Sequence, residues 1–345
     1  MSELDNVIKD LNKKFKTGHI QMGVDFQDLE KIPFSSCRLN YMTYGGIPFG
    51  RITEFSGNDF SGKTCTSLDI VGQAQKLKPD KKVLFVDVEH TLDTVWAKKL
   101  GVDTKKLIYL DTDVMGAEDI FNAIISIVST GEISLCVLDS IGAMVSMQCN
   151  EKEIGDRTYG GISLALTEFT KKITPILAKT NCAFIGINQL RDNLRSTFGG
   201  TVTTGGRAWR HGCTMRLLFK QGQFIDEKGN KLSGNCENPQ GNIVNVYLEK
   251  SKVCPPDRKV GFYTLRYMTG IDYISDMIDV AILSDVIQQR GAWFFVIDSE
   301  TGEVMKHKEN ELRFQGKPKL AEYLKSHNDL YKEILSKLNL SEGLL

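Results

Sequence analysis

Residues 57–64 read Gly57-Asn58-Asp59-Phe60-Ser61-Gly62-Lys63-Thr64, which fits the pattern G-x-x-x-x-G-K-[ST]. The segment follows the apolar run RITEFS (51–56) and precedes TSLDIVGQAQKL, which has the character of a helix. A glycine-rich turn in that position lets successive backbone N–H groups wrap phosphate oxygens. Lys63 then neutralises β- and γ-phosphate charge, and Thr64 offers a hydroxyl to Mg²⁺. Cys65 opens the helix immediately afterwards and belongs to the same nucleotide-binding stretch. The motif demands an α/β fold, because its strand must lie in a sheet and its helix must pack on that sheet.

The rest of the chain repeats the arrangement. Short apolar runs occur at KVLFVDV (82–88), LIYLD (107–111), SLCVLDS (134–140), CAFIGINQ (182–189), CTMRLLF (213–219) and IVNVYLEK (243–250). Continuous apolar strands separated by helical segments predict a mainly parallel sheet covered on both faces. The last of these runs follow one another without helices, which predicts an antiparallel end to the sheet. Two stretches, 150–161 and 191–206, are rich in Gly, Thr and charge and give no regular pattern. Long irregular loops inside a compact domain are usually functional. From about residue 271 the pattern becomes helical, then a short β segment around GAWFFVID, then helical again from about 317.

Carboxylates fall where such a sheet binds ligands, at the C-terminal ends of its strands. FVDVEH leaves Asp87 and Glu89 at one strand end, and LCVLDS leaves Asp139 at another. Glu89 can polarise a water for attack on a γ-phosphate, and Asp139 stands where a Walker-B carboxylate holds Mg²⁺. A third strand ends in Asn188-Gln189, directly before the 191–206 loop. Gln189 can therefore touch a γ-phosphate and pass its presence to that loop.

Composition limits the partners. Lys plus Arg and Asp plus Glu are 43 each, so any nucleic-acid surface must be local. The eight cysteines include no C-x-x-C pair and no zinc spacing, and several sit in apolar runs. They read as reduced, mostly buried small hydrophobes in a cytoplasmic protein. The N-terminus MSELDNVIKDLNKKFK lacks the apolar core of a signal peptide, and no run is long enough to span a membrane. Leu4, Val7, Ile8, Leu11 and Phe15 instead form one apolar stripe of a helix.

The ordered blocks GGIPFGRITEFSGNDFSGKT, FVDVEHTLD, LDSIGAM, EIGDRTYGG, INQLRDN, TTGGRAW, EKSKV and QGKPKLAEYL closely resemble the bacterial RecA family. The resemblance runs from about residue 7 to about 338. It implies a RecA-like P-loop ATPase core with a mainly parallel central sheet (33–270). An N-terminal helix and polymerisation arm (1–32) would precede the core, and a small α+β C-terminal domain (271–345) would follow it. The implied activity is ATP hydrolysis with Mg²⁺, dependent on DNA, by a helical homo-oligomeric filament. That filament would form on single-stranded DNA and pair it with homologous double-stranded DNA in recombination and repair.

The same resemblance assigns individual roles. Glu89 would be the catalytic base and Gln189 the γ-phosphate sensor. Asp93 and Trp96 would contact and stack on adenine, with Trp96 in place of the usual Tyr, and Tyr267 would add a second aromatic. Lys250 and Lys252 would reach the ATP of a neighbouring subunit. Arg157 and Tyr159 in one loop, and Arg191, Leu194, Arg195 and Phe198 in the other, would meet DNA. Lys171 and Arg210 would supply further basic contacts, whereas Leu164 departs from a family arginine. The N-terminal stripe would pack on the next protomer, and a head-to-tail contact that does not close gives a helix. A ring-forming helicase of the same fold and a non-catalytic DNA-binding paralogue are the rival readings. The EHTLD and TTGG blocks argue against the first, and Lys63, Glu89 and Asp139 against the second.

Overall fold

The computed structural model describes residues 3–15, 29–146, 161–192, 200–234, 236–298 and 301–338. The chain divides into two compact units, Met1–Glu30 and Lys31–Leu345. In the first, helix α1 (Glu3–Phe15) carries Glu3 and Asp5 in its first turn and Lys13 and Lys14 in its last. That charge order complements the helix dipole. Leu4 and Val7 of its apolar stripe are exposed.

The second unit opens with β1 (Lys31–Ile32), α2 (Cys37–Thr43) and β2 (Ile47–Pro48). Alternating elements follow: β3 (Ile52–Gly57), α3 (Lys63–Leu77), β4 (Lys82–Asp87), α4 (Thr94–Lys99), β5 (Leu107–Asp111), α5 (Ala117–Ser129) and β6 (Ile133–Asp139). Then come α6 (Gly161–Thr180), β7 (Ala183–Asp192), β8 (Thr201–Thr203), α7 (Gly206–Gly212), β9 (Met215–Ile225), β10 (Gly241–Ser251), β11 (Val260–Arg266) and β12 (Gly270–Ile271). The main sheet has the order β12-β11-β10-β9-β3-β7-β6-β4-β5, with β8 paired to β7 at its side. From β9 to β5 every pairing on that path is parallel, and from β9 to β12 every pairing is antiparallel. The expected parallel sheet with an antiparallel end is thus the observed one.

Side chains alternate across the strands into two cores. Phe55, Phe85, Val137, Ile185 and Phe219 pack with Leu68, Val71 and Ala74 of α3 on one face. Leu84, Val86, Leu138 and Phe184 pack with Ile124 of α5 and Phe169 and Ile173 of α6 on the other. Burying each such side chain contributes about 1.5–3 kcal/mol, which is why these strands read as unbroken apolar runs. A third cluster joins α8 (Tyr273–Leu283), strands β13 (Ile287–Arg290) and β14 (Trp293–Val296), and helices α9 (Lys317–Ser326) and α10 (Asn328–Lys337). Cys37 of α2 contributes to that cluster, and Asp276 of α8 accepts from Ser36 Oγ at 2.7 Å.

The described parts of 191–206, residues 191–192 and 200–206, are more regular than their composition suggests. β7 runs on to Asp192, and its last three residues pair only with β8: Leu190 with Thr203, Arg191 with Val202 and Asp192 with Thr201. Arg191 therefore sits in a strand. Among the described cysteines, Cys37, Cys136, Cys182 and Cys213 are buried, Cys65, Cys236 and Cys254 are half-buried, and all are free thiols. No described helix is long and apolar enough to cross a membrane.

Candidate nucleotide site and its neighbours

Strand register brings the polar strand ends together. Gly57 pairs with Gln189, and Asp87 pairs with Asp139, so β3, β7, β6 and β4 end at one edge. The loop after β3 needs glycine at both ends. A Cβ on Gly57 would lie 2.5 Å from Phe219 O and 2.6 Å from Ser61 Oγ. Gly62 takes φ 94°, and its Cβ would lie 2.9 Å from Val244. Between them Asn58, Asp59 and Phe60 turn the chain, with the Phe60 ring almost fully exposed.

Lys63 is buried, and its Nζ donates to Gly57 O at 3.0 Å and Asn58 O at 2.7 Å. Burial lowers its pKa, and Asp139, Asp59 and Glu89 oppose that by favouring the ammonium. The lysine thus folds over the loop carbonyls with its charge confined to the cradle. Thr64 Oγ1 donates to Asp139 Oδ2 at 2.7 Å. Asp139 is buried, and burial pushes its pKa up to about 6, aided by the nearby Glu89 and Asp87. A hydroxyl and a carboxylate in contact, inside a cluster of like charge, form the hard-oxygen donor set that suits Mg²⁺.

Glu89 stands just beyond the end of β4. Its Oε1 accepts from Ser140 Oγ and from Gln189 Nε2, the latter at 3.2 Å. The expected base and the expected sensor are therefore in direct contact. The next residue, His90, takes φ 52° and its Nε2 meets Asp113 Oδ1 at 3.1 Å. Asp87 is buried and accepts from Leu92 N at 2.9 Å, which shapes the turn after β4. Arg191 Nη2 donates to Gly142 O at 3.2 Å, tying the far end of β7 to the segment after β6.

Beside the loop lies a cavity of about 360 Å³, lined among others by Phe60, Gly62, Cys65, Trp96 and Tyr267. Trp96 Nε1 donates to Cys65 Sγ at 3.4 Å, and Tyr267 OH donates to Asn242 Oδ1 at 3.1 Å. Two aromatic walls next to a phosphate cradle suit a purine base. Asp93 caps α4, with Oδ1 accepting from Val95 N at 2.8 Å and Trp96 N at 3.1 Å. It thereby orients the helix that carries Trp96. Asn242 had no signal in the sequence beyond being polar in an apolar strand.

Lys250 and Lys252 contact α7. Lys250 Nζ donates to Arg210 O at 2.6 Å and His211 O at 3.2 Å, and Lys252 Nζ donates to His211 O at 3.1 Å. Ammonium groups at a helix C-terminus satisfy its free carbonyls and its dipole. Arg210, Arg207 and Lys250 line one basic cavity of about 440 Å³. Lys171 and Leu164 are exposed on α6. Arg157, Tyr159, Leu194, Arg195 and Phe198 lie outside the described residues.

Sequence reasoning passed over Glu54. This side chain is wholly buried in β3 and is met by Asn188, Trp209 and Arg216. Its signal was a lone acid inside an apolar strand, because buried carboxylates are nearly always paired.

Comparison with known proteins agrees with this geometry. The family model described as the RecA N-terminal domain matches residues 2–272. Protein RecA of Thermus aquaticus is 34% identical over 340 residues, covering 97% of this chain and 93% of that protein. Protein RecA of Aquifex aeolicus is 32% identical, with 99% and 93% covered, and that of Ruminococcus albus is 31% identical, with 99% and 80% covered. The phosphate loop, the acidic strand ends and the parallel sheet all lie within the matched residues, and this chain belongs to the RecA family.

Proposed function

We propose that this protein is a DNA-dependent ATPase that assembles as a helical filament on single-stranded DNA and pairs it with a homologous duplex. The observation that carries the reading is the Gln189–Glu89 hydrogen bond at 3.2 Å. It joins the group placed to activate water to the strand that enters the second loop. A γ-phosphate arriving there competes for Gln189, so nucleotide state and loop position become linked.

In this reading Lys63 leaves the Gly57 and Asn58 carbonyls for the β- and γ-phosphate oxygens. Thr64 and Asp139 would hold Mg²⁺, which supplies charge neutralisation on the phosphates. Glu89, held by Ser140 and Gln189, takes a proton from the attacking water. Trp96 and Tyr267 enclose the base, and Asp93 fixes the helix that presents Trp96. Lys250 and Lys252 turn from α7 to the nucleotide of the next protomer. Arg191, Arg210 and Lys171 supply cations to the DNA backbone together with the two loops, whose Arg157, Tyr159, Leu194, Arg195 and Phe198 grip phosphates and bases. The free thiols suit a reducing cytoplasm.

The test is ATP turnover with and without single-stranded DNA, with negative-stain imaging of the same mixture. Strong stimulation and open helical filaments are expected, and both should vanish in Lys63→Ala. Closed rings would favour the helicase reading, and turnover that persists in Lys63→Ala would remove the site assignment.

A further inference from the structure

Three donors from three different elements converge on one buried carboxylate. Asn188 Nδ2 of β7 reaches Glu54 Oε1 at 3.0 Å, Trp209 Nε1 of α7 reaches the same oxygen at 2.8 Å, and Arg216 Nε of β9 reaches Oε2. The contacts extend outward on both sides. The Asn188 amide also donates to Thr204 O at 2.9 Å, on the far side of the second loop. Arg216 Nη1 meets Glu249 at 3.2 Å, next to Lys250. In the sheet register Gly186, Glu54, Arg216 and Lys250 form one row across β7, β3, β9 and β10. Trp209 fits against that row because Gly186 has no side chain, and a Cβ there would sit 2.7 Å from the indole ring.

Glu54 stands three residues before the first glycine of the phosphate loop, and Asn188 stands one residue before Gln189. A buried carboxylate that loses a donor leaves an uncompensated charge, so its partners are held as a set. The same set frames both ends of the second loop and the helix that Lys250 caps.

We propose that Glu54 is a positioning residue that couples the nucleotide site to the segment Thr203–Gly212. Through Asn188, Trp209 and Arg216, the state of the phosphate loop biases where Thr204, α7 and Lys250 sit. The proposal rests on the DNA-stimulated ATPase reading given above. If the ion pair were purely structural, its loss would lower thermal stability and leave the coupling intact.

The test uses full-length Glu54→Gln, which keeps an oxygen for Asn188 and Trp209 and removes the charge facing Arg216. Two readouts are taken: hydrogen exchange of amides 203–212 with and without ATPγS, and the ratio of ATP turnover with and without single-stranded DNA. ATPγS should change exchange in 203–212 of the wild type. In Glu54→Gln that change should disappear and DNA stimulation should fall about tenfold, with ATPγS affinity and basal turnover within about twofold of wild type. Trp209→Phe removes the indole N–H donor together with part of the buried ring and should move both readouts the same way, which keeps the test decisive if Glu54→Gln does not fold. Folded variants that retain both responses overturn the proposal, as does a wild type whose 203–212 amides ignore ATPγS. A wild type without DNA stimulation sinks the functional reading instead, and the exchange experiment alone then decides the coupling.

Discussion

Replacing Trp96 with Ala isolates what one wall of the base cavity contributes. Stacking of a base on an aromatic side chain is worth about 1–3 kcal/mol by alanine substitution. With about 1.4 kcal/mol per tenfold in affinity, that range corresponds to about 5- to 150-fold weaker ATP binding. Two features place the outcome near the lower part of that range. Tyr267 remains as a second aromatic of the cavity, bonded to Asn242, and in the proposed reading Lys63 would still hold the phosphates. The indole packs against the edge of the core, and its polar contacts are weak, namely the 3.4 Å bond to Cys65 and the Lys99 ammonium 5.9 Å from the ring. We therefore expect KM for ATP to rise about tenfold while kcat is unchanged. Trp96 has no bond to Glu89, Lys63 or Asp139, which is why kcat is spared. Steady-state turnover measures the split, and Trp96→Phe should recover most of the affinity. Fluorescence gives a second check, because of the three tryptophans Trp96 lines the cavity, whereas the buried Trp209 and Trp293 on β14 do not. Quenching by ADP should be present in the wild type and absent in Trp96→Ala. An unchanged KM, or a fall in kcat at constant KM, would refute the base-cavity reasoning.

Three further outcomes follow from the same structure. Glu89→Gln keeps an oxygen for Ser140 but cannot accept a proton. It should bind ATP normally and lose about 100-fold or more in hydrolysis, with persistent filaments on DNA by light scattering; failure to form filaments would give Glu89 a structural role. Asp276 is buried, and its pKa is pushed from 3.8 to about 6, so the native state holds its proton more tightly than the unfolded chain. Its favourable contribution is complete below about pH 4 and is lost as pH rises through about 6, a difference of about 3 kcal/mol at most. Asp276→Asn should therefore flatten the decline in melting temperature between pH 4 and 7, and an unaltered pH profile would contradict this. Lys319 and Lys325 are exposed on α9, whereas Lys317 is paired with Asp279. Lys319→Glu with Lys325→Glu should weaken duplex binding and flatten its salt dependence by about two contacts, sparing turnover on single strands. Unchanged duplex binding across a salt series would show that these α9 cations make no duplex contact.

The parts of the fold that were legible in the sequence share one property: they are local or periodic. The phosphate loop is a contiguous segment with a strand before it and a helix after it. β4, β6 and β7 are largely apolar runs with a polar residue at or near the end, and β3 is equally buried although Thr53, Glu54 and Ser56 interrupt it. The antiparallel edge could be inferred because no helix separates the later strands. What remained hidden depends on partners far apart in the chain. The Glu54–Arg216 pair is 162 residues apart and the Gln189–Glu89 bond spans 100 residues, so no window of sequence contains either. β8 is only three residues long, too short for alternation to register, and so it read as loop. The contact of Lys250 and Lys252 with the end of α7 was hidden as well, because helix capping from another element leaves no pattern in the strand itself.

The length of β7 has a mechanical consequence. Ten residues run from the middle of the sheet to Asp192, and the last three project past the parallel strands with β8 as their only strand neighbour and Arg191 tied to Gly142 O. At about 3.3 Å per residue this projection is a cantilever of about 10 Å. Its root is Gln189, clamped by Gly57 on β3 and by the Glu89 carboxylate. A tilt of about 10° at that root would carry the tip through nearly 2 Å for a strand rising about 3.3 Å per residue. That displacement exceeds half the length of a hydrogen bond. In the proposed reading, a small movement at a phosphate oxygen would thus be geometrically amplified at the point where the second loop begins. The gain of the device is set by strand length, so shortening the overhang by a residue pair on β7 and β8 would reduce the stroke without touching the nucleotide.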